Sequence, residues 1–147
     1  MKRLTILVTA LFAFIAAASA QDAPKGTSAI YLTTTAESLE EAHDIVMRTL
    51  IANDVDVRAD NPAYFVTKSA GRHTRSGSDV TCTFACIEQD GVIVVRVTGS
   101  YKSPLDDYRT DDKVIKQGMK GSIAMQTWES MFTTALMIPH TDIHFAQ

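Results

Sequence analysis

VTCTFACIEQDGVIVVRVTGSY, residues 80–101, decides the fold. Two runs rich in β-branched and aromatic residues flank Asp90-Gly91, a pair whose tolerance of positive φ suits a two-residue hairpin turn. Alternation along the two strands separates two faces. Val80, Cys82, Phe84 and Cys86, with Ile93, Val95, Val97 and Tyr101 on the partner strand, are expected to look into a core. The opposite face carries Thr81, Thr83, Ala85, Val94, Arg96 and Thr98, which are small and only half polar, so it can be solvated or take a partner.

Upstream of this hairpin, residues 29–35 read as a first strand. Ser38 and Glu41 form a capping box, in which the hydroxyl accepts from an early helical N–H and the carboxylate reaches back to the cap. Leu39, Ala42, Ile45, Val46, Thr49 and Leu50 then recur at helical spacing until Asn53-Asp54. Residues 55–58 predict a short strand that stops near Asn61-Pro62, and residues 64–68 resume as strand. The stretch 69–79, with Gly71, Gly77 and three serines, reads as a mobile connection.

Downstream, residues 102–122 are charged and broken by Pro104, Gly118 and Gly121, which predicts a long loop with at most a short helix around 114–116. Ser122 caps a second helix whose apolar stripe is Ala124, Thr127, Trp128, Met131, Phe132 and Ala135, and Pro139 stops it. Residues 143–145 add an edge strand. Two helices with single apolar stripes need one surface to bury against, and the hydrophobic face of an antiparallel sheet is that surface. The expected architecture is a two-layer α+β sandwich, a curved antiparallel sheet with two helices on one face.

The first twenty residues have the three parts of a secretory signal peptide: Lys2 and Arg3, an apolar run over 4–18, and Ala18-Ser19-Ala20 before a cut. The expected mature chain begins at Gln21, with residues 21–28 as a flexible lead and 29–147 as a single domain. The apolar run is short for a hydrocarbon core about 30 Å thick, and no later stretch supplies roughly 20 apolar residues, so stable membrane insertion is not expected. No cysteine stands at the cut to carry a lipid. A soluble periplasmic or secreted protein follows. Removing Lys2 and Arg3 with the leader takes the net charge from −3 to −5, which disfavours nucleic-acid binding.

Candidate chemistry is sparse. Cys82 and Cys86, four positions apart on one strand, have Cα atoms about 13 Å apart, beyond disulfide reach, and read as buried small hydrophobes. His140 and His144 follow a proline and lack a neighbouring glutamate for zinc hydrolysis. Asp106, Asp107, Asp111 and Asp112 do not match the spacing of a calcium loop, and Arg109, Lys113 and Lys116 can neutralise them. Arg72, His73 and Arg75 could offer donors to an anion, but their glycines precede a strand rather than a helix. There is no Gly-x-Ser-x-Gly nucleophile elbow, and Trp128 with Phe132 continues a packing stripe. No cofactor is expected.

The signal peptide, the helix over 38–53, the strand pair through Lys68, the 80–101 hairpin and the helix containing Trp128 together set a layout. In that layout the chain resembles a group of small exported bacterial domains with a fold like that of the TATA-box-binding protein. The resemblance implies a curved antiparallel sheet backed by helices and used as a binding or assembly module, with no catalytic residues to carry over. DNA binding does not carry over to an acidic chain with no second half to make a saddle. The expected function is therefore a non-enzymatic envelope module that binds another protein, or itself. Its contacts would be Thr81, Thr83, Val94 and Arg96 on the half-apolar face, the 102–122 loop, and Arg72 and Arg75. The alternative is a small-ligand binder or hydrolase sited between the sheet and that loop, using the loop aspartates and His73 or His140.

Overall fold

A computed structural model describes residues 19–20, 22–106 and 112–147. Most of the expected signal peptide, and Asp107, Arg109 and Asp111 of the charged loop, lie outside the described residues. In chain order the elements are β1 (Ala29–Thr33), α1 (Leu39–Ala52), β2 (Val57–Asn61), β3 (Val66–Ser69), β4 (Arg72–His73), β5 (Asp79–Gln89), β6 (Val92–Lys102), β7 (Lys113–Val114), α2 (Ile123–Ala135) and β8 (Asp142–Ala146). One antiparallel sheet runs in the order β2-β3-β5-β6-β1-β8, with β4 pairing β5 and β7 pairing β6. With both helices packed against it, this is the two-layer α+β sandwich that the sequence predicts.

The hairpin is the centre of the sheet. β5 and β6 pair from Asp79 opposite Lys102 to Gln89 opposite Val92, and the turn is closed by Asp90 and Gly91 at φ of 52° and 76°. Val80, Cys82, Phe84, Cys86, Ile93, Val95 and Val97 are all buried, as the alternation requires, and Tyr101 is half-buried against the same core. Ile30 and Leu32 of β1 extend that face across the next strand, and Ile143 and Phe145 of β8 lie opposite them.

The helices bury one stripe each. On α1 the stripe is Ala42, Val46 and Leu50; on α2 it is Met125, Trp128, Met131, Phe132 and Ala135. Ser38 caps α1 by accepting from the Glu41 N–H at 3.1 Å, while the Glu41 carboxylate takes the N–H of Glu37, one residue before the cap, at 2.7 Å. Ser122 caps α2 by accepting from Met125 N–H. That helix ends at Ala135, four residues before Pro139, so the proline follows the stop rather than making it. Trp128, Phe132 and Phe145 form an aromatic cluster with ring centroids 6.1–6.5 Å apart. Burying each such side chain contributes roughly 1.5–3 kcal/mol, enough to fix which sheet face is inside.

Several connections are more ordered than composition suggests. The stretch expected as a mobile connection folds into β4 and a turn in which Gly77 N–H donates to Thr74 C=O, because Arg72 and His73 find register partners in Val80 and Asp79. The long loop holds a 3₁₀ turn at Pro104–Asp106, then returns as β7 in place of the short helix expected around 114–116. Ile115, fully buried beneath Gly99, anchors the return. The segment expected as a flexible lead is tied down as well: Thr27 C=O accepts from Gln117 N–H and Ser28 N–H donates to Ala146 C=O. Ala23 joins the core, and ahead of this segment, at the end of the expected signal peptide, Ala20 C=O accepts from the Trp128 indole N–H at 2.9 Å. Among the described residues, no helix is long and apolar enough to cross a membrane.

Gly99 interrupts the inward-facing series of β6 because a Cβ there would lie 2.8 Å from both Ile115 Cδ1 and Met131 sulfur. Strand propensity alone favours valine at this position. The packing argues the opposite, and Gly99→Val should destabilise the domain by about 2 kcal/mol through overpacking, measured by urea denaturation. A stabilised variant would show that α2 and the 115 segment do not press on the sheet at this point.

Candidate docking face and flanking clefts

Both helices lie on one side of the sheet, so the other side is built from strand residues alone. Its rows follow from the register. Val66, Ala85, Arg96, Tyr31 and His144 lie in one row across five strands, with Lys68, Thr83 and Thr98 on one side of it and Ile87, Val94, Thr33 and Asp142 on the other. Thr81 stands opposite Ser100 one step further along the hairpin. Thr81, Thr83, Val94 and Arg96 therefore share one face, as alternation predicts.

Exposure separates these four residues. Arg96 is exposed, and Thr81 and Thr83 are half-buried. Val94 is only 4% exposed, flanked in register by Ile87 and Thr33, so it fills the face and offers little contact area. Tyr31 and His144 were not among the expected contacts. Their rings stack with centroids 5.8 Å apart and planes within 6°, which extends the face towards β8. Alternation in β1 carries the signal for Tyr31, whereas the pairing of β8 with β1 is needed to bring His144 beside it.

Arg72 and Arg75 belong to a different place. They sit at the β4–β5 turn, where a cleft of about 550 Å³ lies between His73, Thr74 and Arg75 and the start of α2. Lys120, Met125, Gln126 and Glu129 form its other wall, and Gln126 fixes the turn by accepting the Ser76 N–H. His73 Nδ1 lies 3.0 Å from Asp79 Oδ1. Asp112 instead accepts from the Ser100 hydroxyl, and His140 Nδ1 is 2.7 Å from Ile138 C=O at the other end of α2, so neither joins this cleft. Among the described residues no group of three or more His, Cys, Asp or Glu side chains is placed to hold a metal ion.

At the far end of the hairpin, a second cleft of about 400 Å³ has an apolar floor of Leu39, Phe65 and Ile93 and a rim of Glu37, Glu40 and Glu88. Phe65 is held at φ 55°, an uncommon conformation for a bulky side chain, and its carbonyl accepts from Cys86 N–H. Behind it, His43 of α1 meets Asp60 of β2, with Nε2 2.7 Å from Oδ1, and the Thr67 hydroxyl donates to the same oxygen at 2.9 Å. Burial opposes ionisation of Asp60, but the hydrogen bonds from His43 and Thr67 and the His43 charge outweigh it, holding the carboxyl below its ordinary range. The sequence gives no sign of this cluster, because seventeen positions separate His43 from Asp60 and neither lies in a motif.

Both cysteines are unpaired and buried. Desolvation pushes the Cys82 thiol up to about 12, against smaller lowering effects from Ser69 and Arg72, and pushes Cys86 up to about 11. Neither is a thiolate near neutral pH, so neither is equipped as a nucleophile. Compared with known proteins, the chain matches no family model and no curated sequence.

Two outcomes follow. In the folded protein at pH 8, neither cysteine should react with a thiol reagent such as DTNB within an hour, while both react at once in guanidinium; rapid labelling of the native state would contradict their burial. Asp60→Asn should cost about 1 kcal/mol near neutral pH, since it weakens hydrogen bonds to a charged acceptor. The stabilisation from Asp60 ionisation is complete above the ordinary carboxylate pKa of about 4 and is lost as pH falls through the lowered folded value. The gap between variant and wild type, followed by thermal melts, should therefore close below about pH 4.

Proposed function

We propose that this chain is an exported, non-enzymatic module of the bacterial envelope, and that it binds a protein partner through the sheet face opposite its helices. The observation that supports this reading most is the one-sidedness of the fold. All the helical cover is spent on one face, and the other is a surface of Thr81, Thr83, Thr98 and Tyr31 around the exposed Arg96, with the charges of Lys68 and Asp142 towards its edges. Such a face suits partner contact, with Arg96 as a central polar anchor. The threonines supply hydroxyl donors and acceptors without the desolvation penalty of charges.

Export rests on the leader-like first twenty residues, with the mature chain beginning near Gln21 in the periplasm or outside the cell. The layout shared with exported domains of TATA-box-binding-protein-like fold points to the same kind of role. Protonated, buried thiols and a histidine stacked on Tyr31 are groups placed for packing rather than for turnover. A second reading, capture of a small anion, has one observation in its favour: the cleft beside Arg75 and Lys120.

The test is photocrosslinking in exporting cells, with a photoreactive residue placed at Thr83 on the open face or at Glu129 on the helical side. A discrete adduct from position 83, absent from position 129 and lost when Arg96→Glu is added, is the expected result. Because Arg96 is exposed, that substitution should leave the melting transition within about 0.5 kcal/mol of wild type. No adduct at position 83, or the same adduct from both sides, would overturn the proposal.

A further inference from the structure

The leader-like segment offers two bonds at which it can be removed. A processing peptidase reads small residues one and three positions before the cut, and Ala20 with Ala18 presents them for the Ala20–Gln21 bond. Ala18 with Ala16 presents the same pattern for the Ala18–Ser19 bond, two residues earlier. Pattern alone does not choose between the two. What separates them is the use that the folded domain makes of Ser19 and Ala20.

Both residues are engaged. Ala20 is half-buried against the core, and its C=O accepts from the Trp128 indole N–H at 2.9 Å. Trp128 is fully buried, and the rings beside it, Phe132 and Phe145, offer no acceptor in place of that carbonyl. A buried donor stripped of its acceptor carries its whole desolvation cost. Ser19 and Asp22 bond each other twice: Ser19 N–H donates to the Asp22 carboxylate at 2.8 Å, and Asp22 N–H donates to Ser19 C=O at 3.0 Å. Ala23 follows directly in the core. A cut after Ala20 removes the acceptor of Trp128 and both partners of Asp22. Hydrolysis of the Ala18–Ser19 amide keeps all three bonds; it consumes one water and leaves a carboxylate on Ala18 and an α-ammonium on Ser19. That ammonium, largely charged at neutral pH, then makes a charge-assisted hydrogen bond to Asp22.

We infer that the leader is cut between Ala18 and Ser19, so that the mature chain begins at Ser19 and keeps Ala20 as the acceptor for Trp128. This rests on the export reading and changes only the place of the cut. It is independent of what the sheet face binds.

The test is the intact mass of the protein recovered from the periplasm or medium of exporting cells that make the full chain. The expected mass is that of a chain starting at Ser19, one serine and one alanine heavier than a chain starting at Gln21. A start at Ala20 or Gln21 overturns the inference and leaves the export reading standing; a chain kept inside the cell with its leader attached overturns both. Ala20→Leu puts a bulky residue before the later bond and should leave the Ser19 start unchanged, whereas Ala16→Tyr spoils the earlier bond and should abolish it. The reverse response overturns the inference. Deleting Ser19 and Ala20 from the precursor brings Ala16-Ala17-Ala18 directly before Gln21, so that the exported chain lacks both residues. Its melting temperature should fall by about 3 °C or more, and the emission of Trp128, the chain's one tryptophan, should move to longer wavelength as water reaches the indole. Unchanged melting and emission would show that the domain makes no use of the two residues and would overturn the inference.

Discussion

The pairing of β5 with β6 is the constraint on which the other features rest. With eleven positions in register and a turn closed by two residues at positive φ, it fixes which side chains of both strands point which way. A slip of β6 by one residue would carry Val95 and Val97 to the open face and bring Arg96 and Thr98 into the core beside Cys82 and Phe84. The apolar stripes of α1 and α2 would then have no matching surface. The register thus selects the buried face, the buried face recruits both helices, and the uncovered face is what remains.

The same constraint places the polar features. Arg96 is central on the open side because it pairs with Ala85 and with Tyr31, strands that flank it on either side. The two clefts form where the helix layer meets the ends of the hairpin: α1 begins beside the β5–β6 turn, and α2 begins beside the β4–β5 turn. A long two-stranded ribbon with a helix start at each end thus sets the two clefts apart. His43 and Asp60 hold α1 to the sheet edge, a contact whose hydrogen bonds offset the cost of partial burial.

Much of this could be read from local pattern. Ser38 and Ser122 announce the helices because a hydroxyl just before an apolar stripe satisfies early N–H groups, and Asp90-Gly91 announces the hairpin because few pairs tolerate its backbone. What could not be read depends on distance. β4 and β7 are two residues each, and only their partners in β5 and β6 make them strands. Ile115 looks like one apolar residue in a charged loop until Gly99, by lacking a side chain, gives it a place. The open face was legible as a set of residues, but the place of Val94 between Ile87 and Thr33 was not, because Thr33 lies on β1, a strand more than fifty positions away. The separation of Arg72 and Arg75 from that face is likewise a product of the β4 turn.

Amide hydrogen exchange followed by NMR tests the primacy of the hairpin most directly. If its register organises the domain, amides of residues 80–87 and 93–99 should exchange last and only through global unfolding, with the edge strands β2 and β8 opening at lower free energy. Hairpin amides that exchange as fast as those of the edges, while α2 stays protected, would contradict the account and place the organising core in the helices.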